Sequence, residues 1–406
     1  MQKKTANIII ALVVLILIAG GILFYFYYLK GESAGSPYER PVGLPQTSFP
    51  EGSGGGGEGQ GGENGGSDGG ASINQNRLMQ ITDVPVSGAI TLKRDEKTYV
   101  RYIERGEGRV FETALDVISP VRISNTTIPK ISEAKWFSGV NSLLIRRFDE
   151  EREGISTFFA SISSSEGEEG ALEGVFLTPN IQALSISPDS KKIFYLVQSG
   201  TGVAGIESEP NGTKKAQIFE SPLREWNVSW PSSNTIALSS KAGANSFGSL
   251  FFLNRGSGKL ESIISGVPGL MVSVSPANSF VIYSQISNGQ PSTAIWNVSK
   301  KERTPLPAPT LPAEKCVWTK NGSLTAYCGV PTFFPQGSYP DFWYQGKVSL
   351  SDDIWKIDAE TGLLEFVASL QEKDGIDVID PSLSEDGSYL IFTNKKDLTL
   401  WSLKLE

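Results

Sequence analysis

A repeat of 44 residues governs what this chain can fold into. An apolar run, a polar turn and a second apolar run return as LSISPDSKKIFYL from Leu184, VSWPSSNTIAL from Val228 and VSVSPANSFVIYS from Val272. They return again as CVWTKNGSLTAYC from Cys316 and PSLSEDGSYLIFT from Pro381, with a weaker copy, AKWFSGVNSLLIRRF, from Ala134. The anchors Trp136, Ile186, Trp230, Val274, Trp318 and Leu383 follow at intervals of 50, 44, 44, 44 and 65 residues. The last interval exceeds the repeat by 21, the size of one added loop between Pro331 and Leu350.

Each unit continues into a second hairpin, such as SLFFLNRGSGKLESII, TAIWNVSKKERTPL or DIWKIDAETGLLEFVAS. Another, TYVRYIERGEGRVFETAL from Thr98, precedes the first anchor. Two hairpins per period of roughly 40–50 residues are the content of one propeller blade. Residues 77–406, less the long loop, divide into about seven such units, so the expected fold is an all-β, seven-bladed β-propeller. Six or eight blades stay open, because the first unit is the least regular. The last unit, Pro381 to Leu405, holds three strands. The segment Leu78–Val86 is placed to supply the fourth and close the ring, which removes exposed sheet edges.

The turns Ser187-Pro188-Asp189, Ser275-Pro276 and Ser384-Glu385-Asp386-Gly387, each followed by an apolar strand, resemble those of TolB-like and WD-repeat-like propellers. The resemblance covers most of residues 130–406. No Gly-His or Trp-Asp repeat signature accompanies it, so the standard WD-repeat pattern fits less closely. It implies a platform for partners, although a fold does not by itself assign an activity.

Ahead of the repeats, Ile8–Leu29 is a 22-residue apolar run without charge. As a helix it would span roughly 33 Å, enough for a bilayer core. Lys3 and Lys4 precede it, and Tyr25, Tyr27 and Tyr28 crowd its far end. This predicts a single-pass anchor with a cytoplasmic amino terminus and everything after Lys30 outside. A cleaved signal peptide would have an apolar region of about 7–15 residues and small residues at its cut site. Residues 31–76, rich in Pro and then in Gly with scattered Glu and Asp, cannot bury enough apolar surface to offset their chain entropy. They read as a tether with a typical reach of roughly 35–40 Å. The expected organisation is therefore an anchor over 1–30, a disordered linker over 31–76 and the propeller over 77–406. An anchor joined to such repeats is similar to membrane-anchored bacterial envelope propellers.

The chain contains no histidine, which excludes Ser-His-Asp and Cys-His catalysis and most zinc and iron sites. A net charge of −8 without any basic run disfavours nucleic acid as a partner. No cofactor is expected, and no catalytic residue is assigned.

The 331–350 loop, PTFFPQGSYPDFWYQGKVSL, gathers Phe333, Phe334, Tyr339, Asp341, Phe342, Trp343 and Tyr344. Tyr and Trp combine large area with a polar handle, so this loop is the candidate partner-binding site. The alternative is that it packs over the central channel as a satellite core. Cys316 and Cys328 lie symmetrically about Asn321-Gly322 and are a candidate disulfide in an oxidising exterior. Asp374, Asp377 and Asp380 form a weak calcium candidate, since their spacing is not that of an EF-hand. Asp352 and Asp353 invite a paired-carboxylate reading, but neighbours on a strand point to opposite faces. Five Asn-X-Ser/Thr sequons, at Asn125, Asn211, Asn227, Asn297 and Asn321, matter only where exported proteins are glycosylated.

These readings predict a non-enzymatic extracytoplasmic module that binds an envelope protein or polysaccharide. Two rivals stay open. One is a carboxylate-dependent glycan hydrolase or lyase, which requires acidic residues converging on one pocket with a raised pKa. The other is a purely structural envelope component.

Overall fold

The computed structural model describes residues 77–405, apart from 152, 164–169, 321, 323 and 372–374. The expected anchor Ile8–Leu29, the 31–76 tether, Asp374 and Asn321 lie outside the described residues. Among the described residues no helix is long and apolar enough to cross a membrane.

Twenty-eight strands form seven four-stranded antiparallel sheets, which settles the blade count. Blades 1 to 6 span residues 86–122, 131–176, 183–221, 226–268, 271–306 and 316–369. Blade 7 takes three strands from the end of the chain, β26 (Val378–Leu383), β27 (Tyr389–Asn394) and β28 (Leu400–Lys404). Its outer strand is β1 (Leu78–Gln80), from the start of the ring. The closing strand is thus shorter than the Leu78–Val86 expected, because Val86 already pairs with Glu104 as the first residue of blade 1.

The second strand of most blades is apolar without alternation, as in Leu143–Ile145, Ile193–Leu196, Ile236–Leu238 and Leu390–Phe392. Both faces of such a strand are covered, since each blade packs between two neighbours. Seven buried clusters result, one at each blade-to-blade interface. Isoleucines 81 and 391 share the cluster that joins blade 7 to blade 1.

The recurrent serine of the turn motif is a local clasp. Ser187 Oγ accepts the Lys192 N–H at 2.9 Å and donates to Asp189 at 2.7 Å. Ser384 repeats this with Tyr389 and Asp386, and Ser275 Oγ accepts the Phe280 N–H. A side chain that satisfies backbone in a tight turn has a structural role, so this motif marks the fold and no binding site.

Antiparallel pairing fixes which loops share a face. Links between blades and the loops between second and third strands meet on one side, here called upper. The remaining turns, including the serine clasps, lie on the lower side.

Candidate functional site

The upper face over blades 4 to 7 is built around the long loop. It joins β23 (Thr325–Pro331) to β24 (Asp352–Asp358) in blade 6, and holds the short helical turn α2 (Asp341–Tyr344). A second turn, α1 (Pro312–Lys315), lies in the link from blade 5 to blade 6. The loop reaches blade 4, where Asp341 accepts the Ala244 N–H at 3.1 Å.

Inside, the loop forms its own core with Met271, Leu311 and Leu350. Tyr339 and Trp343 are 0% and 1% exposed, so a partner cannot touch them directly; this corrects their place in the expected binding set. Phe334 packs edge-on to Tyr339, whose hydroxyl donates to the Pro335 carbonyl at 2.7 Å. Phe342 lies half-buried beneath Lys347. Phe333 and Tyr344 remain on the surface, at 59% and 44% exposure. The loop is therefore a satellite core on one side and an aromatic surface on the other.

A buried ionic clamp holds it down. Lys315 Nζ is completely buried and donates to Asp352 at 2.5 Å, to Asp377 at 2.6 Å and to the Val378 carbonyl at 3.1 Å. Asp377 also accepts the Trp343 indole N–H and the Leu350 N–H at 2.9 Å. Gly329 leaves room for this, since a Cβ there would come within 3.2 Å of Asp352 Oδ2. Burial, opposed by Lys315 and reinforced by Asp377, raises the Asp352 pKa to about 6. Asp353 points the other way, to Ser369 and Gln371, so the two neighbours are not a catalytic pair. Asp377 has its oxygens taken by Lys315, Trp343 and Leu350. That removes it from the calcium candidate, and the described residues hold no group of three metal-binding side chains.

A second group lines the channel mouth. Glu133 and Lys135 lie on β6 (Ile131–Trp136), the inner strand of blade 2, and pair at 2.9 Å. Arg146 also binds Glu133, at 2.6 Å. Asp380 lies on β26 in blade 7, and Glu314 on α1. Asp380 lies within electrostatic reach of Lys135 and Glu133 although blade 1 intervenes along the ring. Asp380 is open to solvent, yet burial raises its pKa, the combination expected in a water-filled channel walled by protein. Burial, and then Asp380, raises Glu314 as well. The Tyr344 hydroxyl donates to Glu314 at 3.0 Å and so joins the aromatic surface to this group.

Sequence reasoning found Tyr344 and Asp380 but missed Glu133, Lys135, Glu314 and Lys315. They come from two distant places in the chain, the inner strand of blade 2 and the link from blade 5 to blade 6, and no local spacing relates the two. Cys316 and Cys328 face each other in register and are joined by a disulfide.

No known family description matches the chain, and no curated protein is similar to it in sequence. Solved structures are similar in shape. An oligogalacturonate lyase from Vibrio parahaemolyticus matches with a TM-score of 0.51 at 10% identity, over 82% of this chain and 94% of that one. A Kuenenia stuttgartiensis hydrazine synthase chain matches with 0.50 at 13% identity, over 84% and 99%. The likeness is one of fold. TolB from Acinetobacter baumannii is also among the matches, at 12% identity over 78% and 79%, with a TM-score of 0.41.

Proposed function

We propose that this chain is a membrane-tethered, extracytoplasmic binding propeller whose upper face engages a protein or polysaccharide of the cell envelope. One observation carries the reading. Of the six exposed large aromatic side chains among the described residues, Phe148, Phe176, Phe247, Phe333 and Tyr344 stand on the upper face and Phe366 does not. Concentrated exposed aromatic surface on one side of a domain marks an interaction face. A hollow of about 250 Å³ lined by Ile128, Ile145, Phe158, Leu172 and Phe176 adds apolar area at its rim.

The channel mouth adds chemistry. Glu314 and Asp380, both raised by burial despite the nearby Lys135, favour a ligand group that brings positive charge or several hydrogen-bond donors. The tether would join the ring at Arg77, where β1 starts at the lower side. The Cys316–Cys328 disulfide suits an oxidising exterior.

The test is capture from the solubilised envelope fraction and from fragmented wall polysaccharide. Wild-type protein is compared with F333A/Y344A and with a lower-face control, L363A. Capture lost only in F333A/Y344A supports the reading. Equal capture by all three, or none by the folded wild type, overturns it.

A second reading, a carboxylate-dependent glycan hydrolase or lyase, is favoured by Glu314. Burial and the nearby Asp380 raise its pKa, the direction that suits a general acid. Glycan cleavage abolished by E314Q would establish that reading.

A further inference from the structure

We infer that the 331–350 loop is a pH-sensitive lid over the channel mouth, held shut by the Lys315 clamp in mild acid and loosened as Asp352 loses its proton. The loop is fastened through few groups. Trp343 Nε1 donates to both oxygens of Asp377, the Leu350 N–H donates to Asp377, and Lys395 Nζ donates to the Trp343 carbonyl at 2.8 Å. Two of these fastenings, from Trp343 and Leu350, meet on Asp377, whose placement Lys315 supplies from α1; Asp341 at Ala244 and Tyr344 at Glu314 hold the loop elsewhere.

Lys315 is shared. Asp352 and Asp377 each take one of its hydrogen bonds in a site without exposed surface, so one ammonium faces two carboxylates. Asp352 Oδ2 also accepts the Val378 N–H at 2.7 Å, while Asp352 Oδ1 is buried and has no hydrogen-bond partner among the described residues. A buried oxygen without a donor is costly when charged, and it is the natural seat for a proton. A proton there ends the competition, and the full charge of Lys315 turns to Asp377 and the loop.

The other groups facing this site are accounted for. Lys395 lies over the Trp343 ring, with Nζ 4.8 Å from its centre, and Lys396 donates to the Gly375 carbonyl at the edge. Asp353 is turned away toward Ser369. Tyr339 stays neutral, since burial and Asp377 raise its pKa to about 12. Glu314 faces Tyr344 at the loop's outer end and titrates in the same direction as Asp352. The raised Asp352 pKa, about 6, places the change between mildly acidic and neutral pH.

Hydrogen exchange on the full-length chain tests this from pH 5 to pH 8, with intrinsic rates corrected. Protection of residues 333–350 should fall on the order of tenfold or more across that range, while blade 3 stays constant. D352N, a neutral isostere, should hold the loop protected at both ends, and E314Q should leave the wild-type dependence in place. W343F, which cuts the fastening beyond Asp352, should leave the loop poorly protected at every pH. It serves if D352N does not fold. Protection that is flat with pH in the wild type, or that falls together with blade 3, overturns the proposal, as does a D352N or W343F loop that still titrates.

Discussion

Leu78 stands directly opposite Leu403, so the first strand of the ring is the outer strand of its last blade. The pairing is reinforced at both ends. The Lys404 N–H donates to the Arg77 carbonyl at 2.8 Å, and the Thr82 hydroxyl accepts the Leu400 N–H at 3.0 Å. A chain begun at residue 83 loses this closure and should unfold well below one begun at residue 77 in a thermal scan followed by circular dichroism. The single change I81A, at a position 4% exposed, should cost about 2–4 kcal/mol in chemical denaturation. Equal melting of the two truncated chains would mean that blade 7 is stable with three strands.

The Cys316–Cys328 disulfide closes a short loop between adjacent strands, the cysteines standing 12 positions apart. Constraint of the unfolded chain by such a bridge contributes about 2–4 kcal/mol. C316S/C328S should lose that amount, and a reducing agent should shift the wild type equally while leaving the variant unchanged.

Arg101 and Glu112 pair at 2.7 Å in blade 1, with side chains 8% and 7% exposed. Arg101 also donates to the Val140 carbonyl and to Asn141, which ties blade 1 to blade 2. R101M leaves Glu112 with the half-exposed Arg94 as its cationic partner, at 2.9 Å, and should cost about 1.5–3 kcal/mol. In a double-mutant cycle, R101M/E112L should cost clearly less than the sum of the single changes. Additive costs would show that the two side chains act independently.

Acid should weaken the ring partly through Glu133. Burial pushes its pKa up, but Lys135 and Arg146 outweigh burial and hold it at about 2. A lowered folded-state pKa gives stability that is present above the unfolded value, near 4.5, and lost as pH falls toward 2. E133Q should therefore flatten the melting temperature between pH 4.5 and pH 2.5. Asp352 works in the opposite sense. Its contribution is full below the unfolded value of 3.8 and disappears as pH rises through about 6, so D352N should flatten the change between pH 4 and pH 7.

The aromatic loop shows how far the sequence could be read. Its 21-residue excess over the repeat and its composition placed it correctly, between the second and third strands of blade 6. They did not show which rings face inward. Trp343 is buried because Asp377, 34 positions on, accepts its indole N–H. Tyr344, the next residue, is exposed because a single helical turn carries it to the other side. Asp352 attracted notice beside Asp353, yet its real partner is Lys315. That lysine stands in PAEKC, where a lysine beside a glutamate in a short link reads as ordinary surface.

What the sequence by itself determined is the periodic part of the molecule: the blades, the serine clasps, the register of Cys316 with Cys328 and the closing strand near Leu78. These depend on alternation, turn chemistry and spacing, which act over a few residues and recur every 44. Only the tertiary structure decided what lies between blades. Ring closure brings Glu133, Glu314 and Asp380 to one mouth and shuts Lys315 away with two carboxylates. Burial then sets their charge and their use, because desolvation depends on every wall of a site and no stretch of chain contains them all.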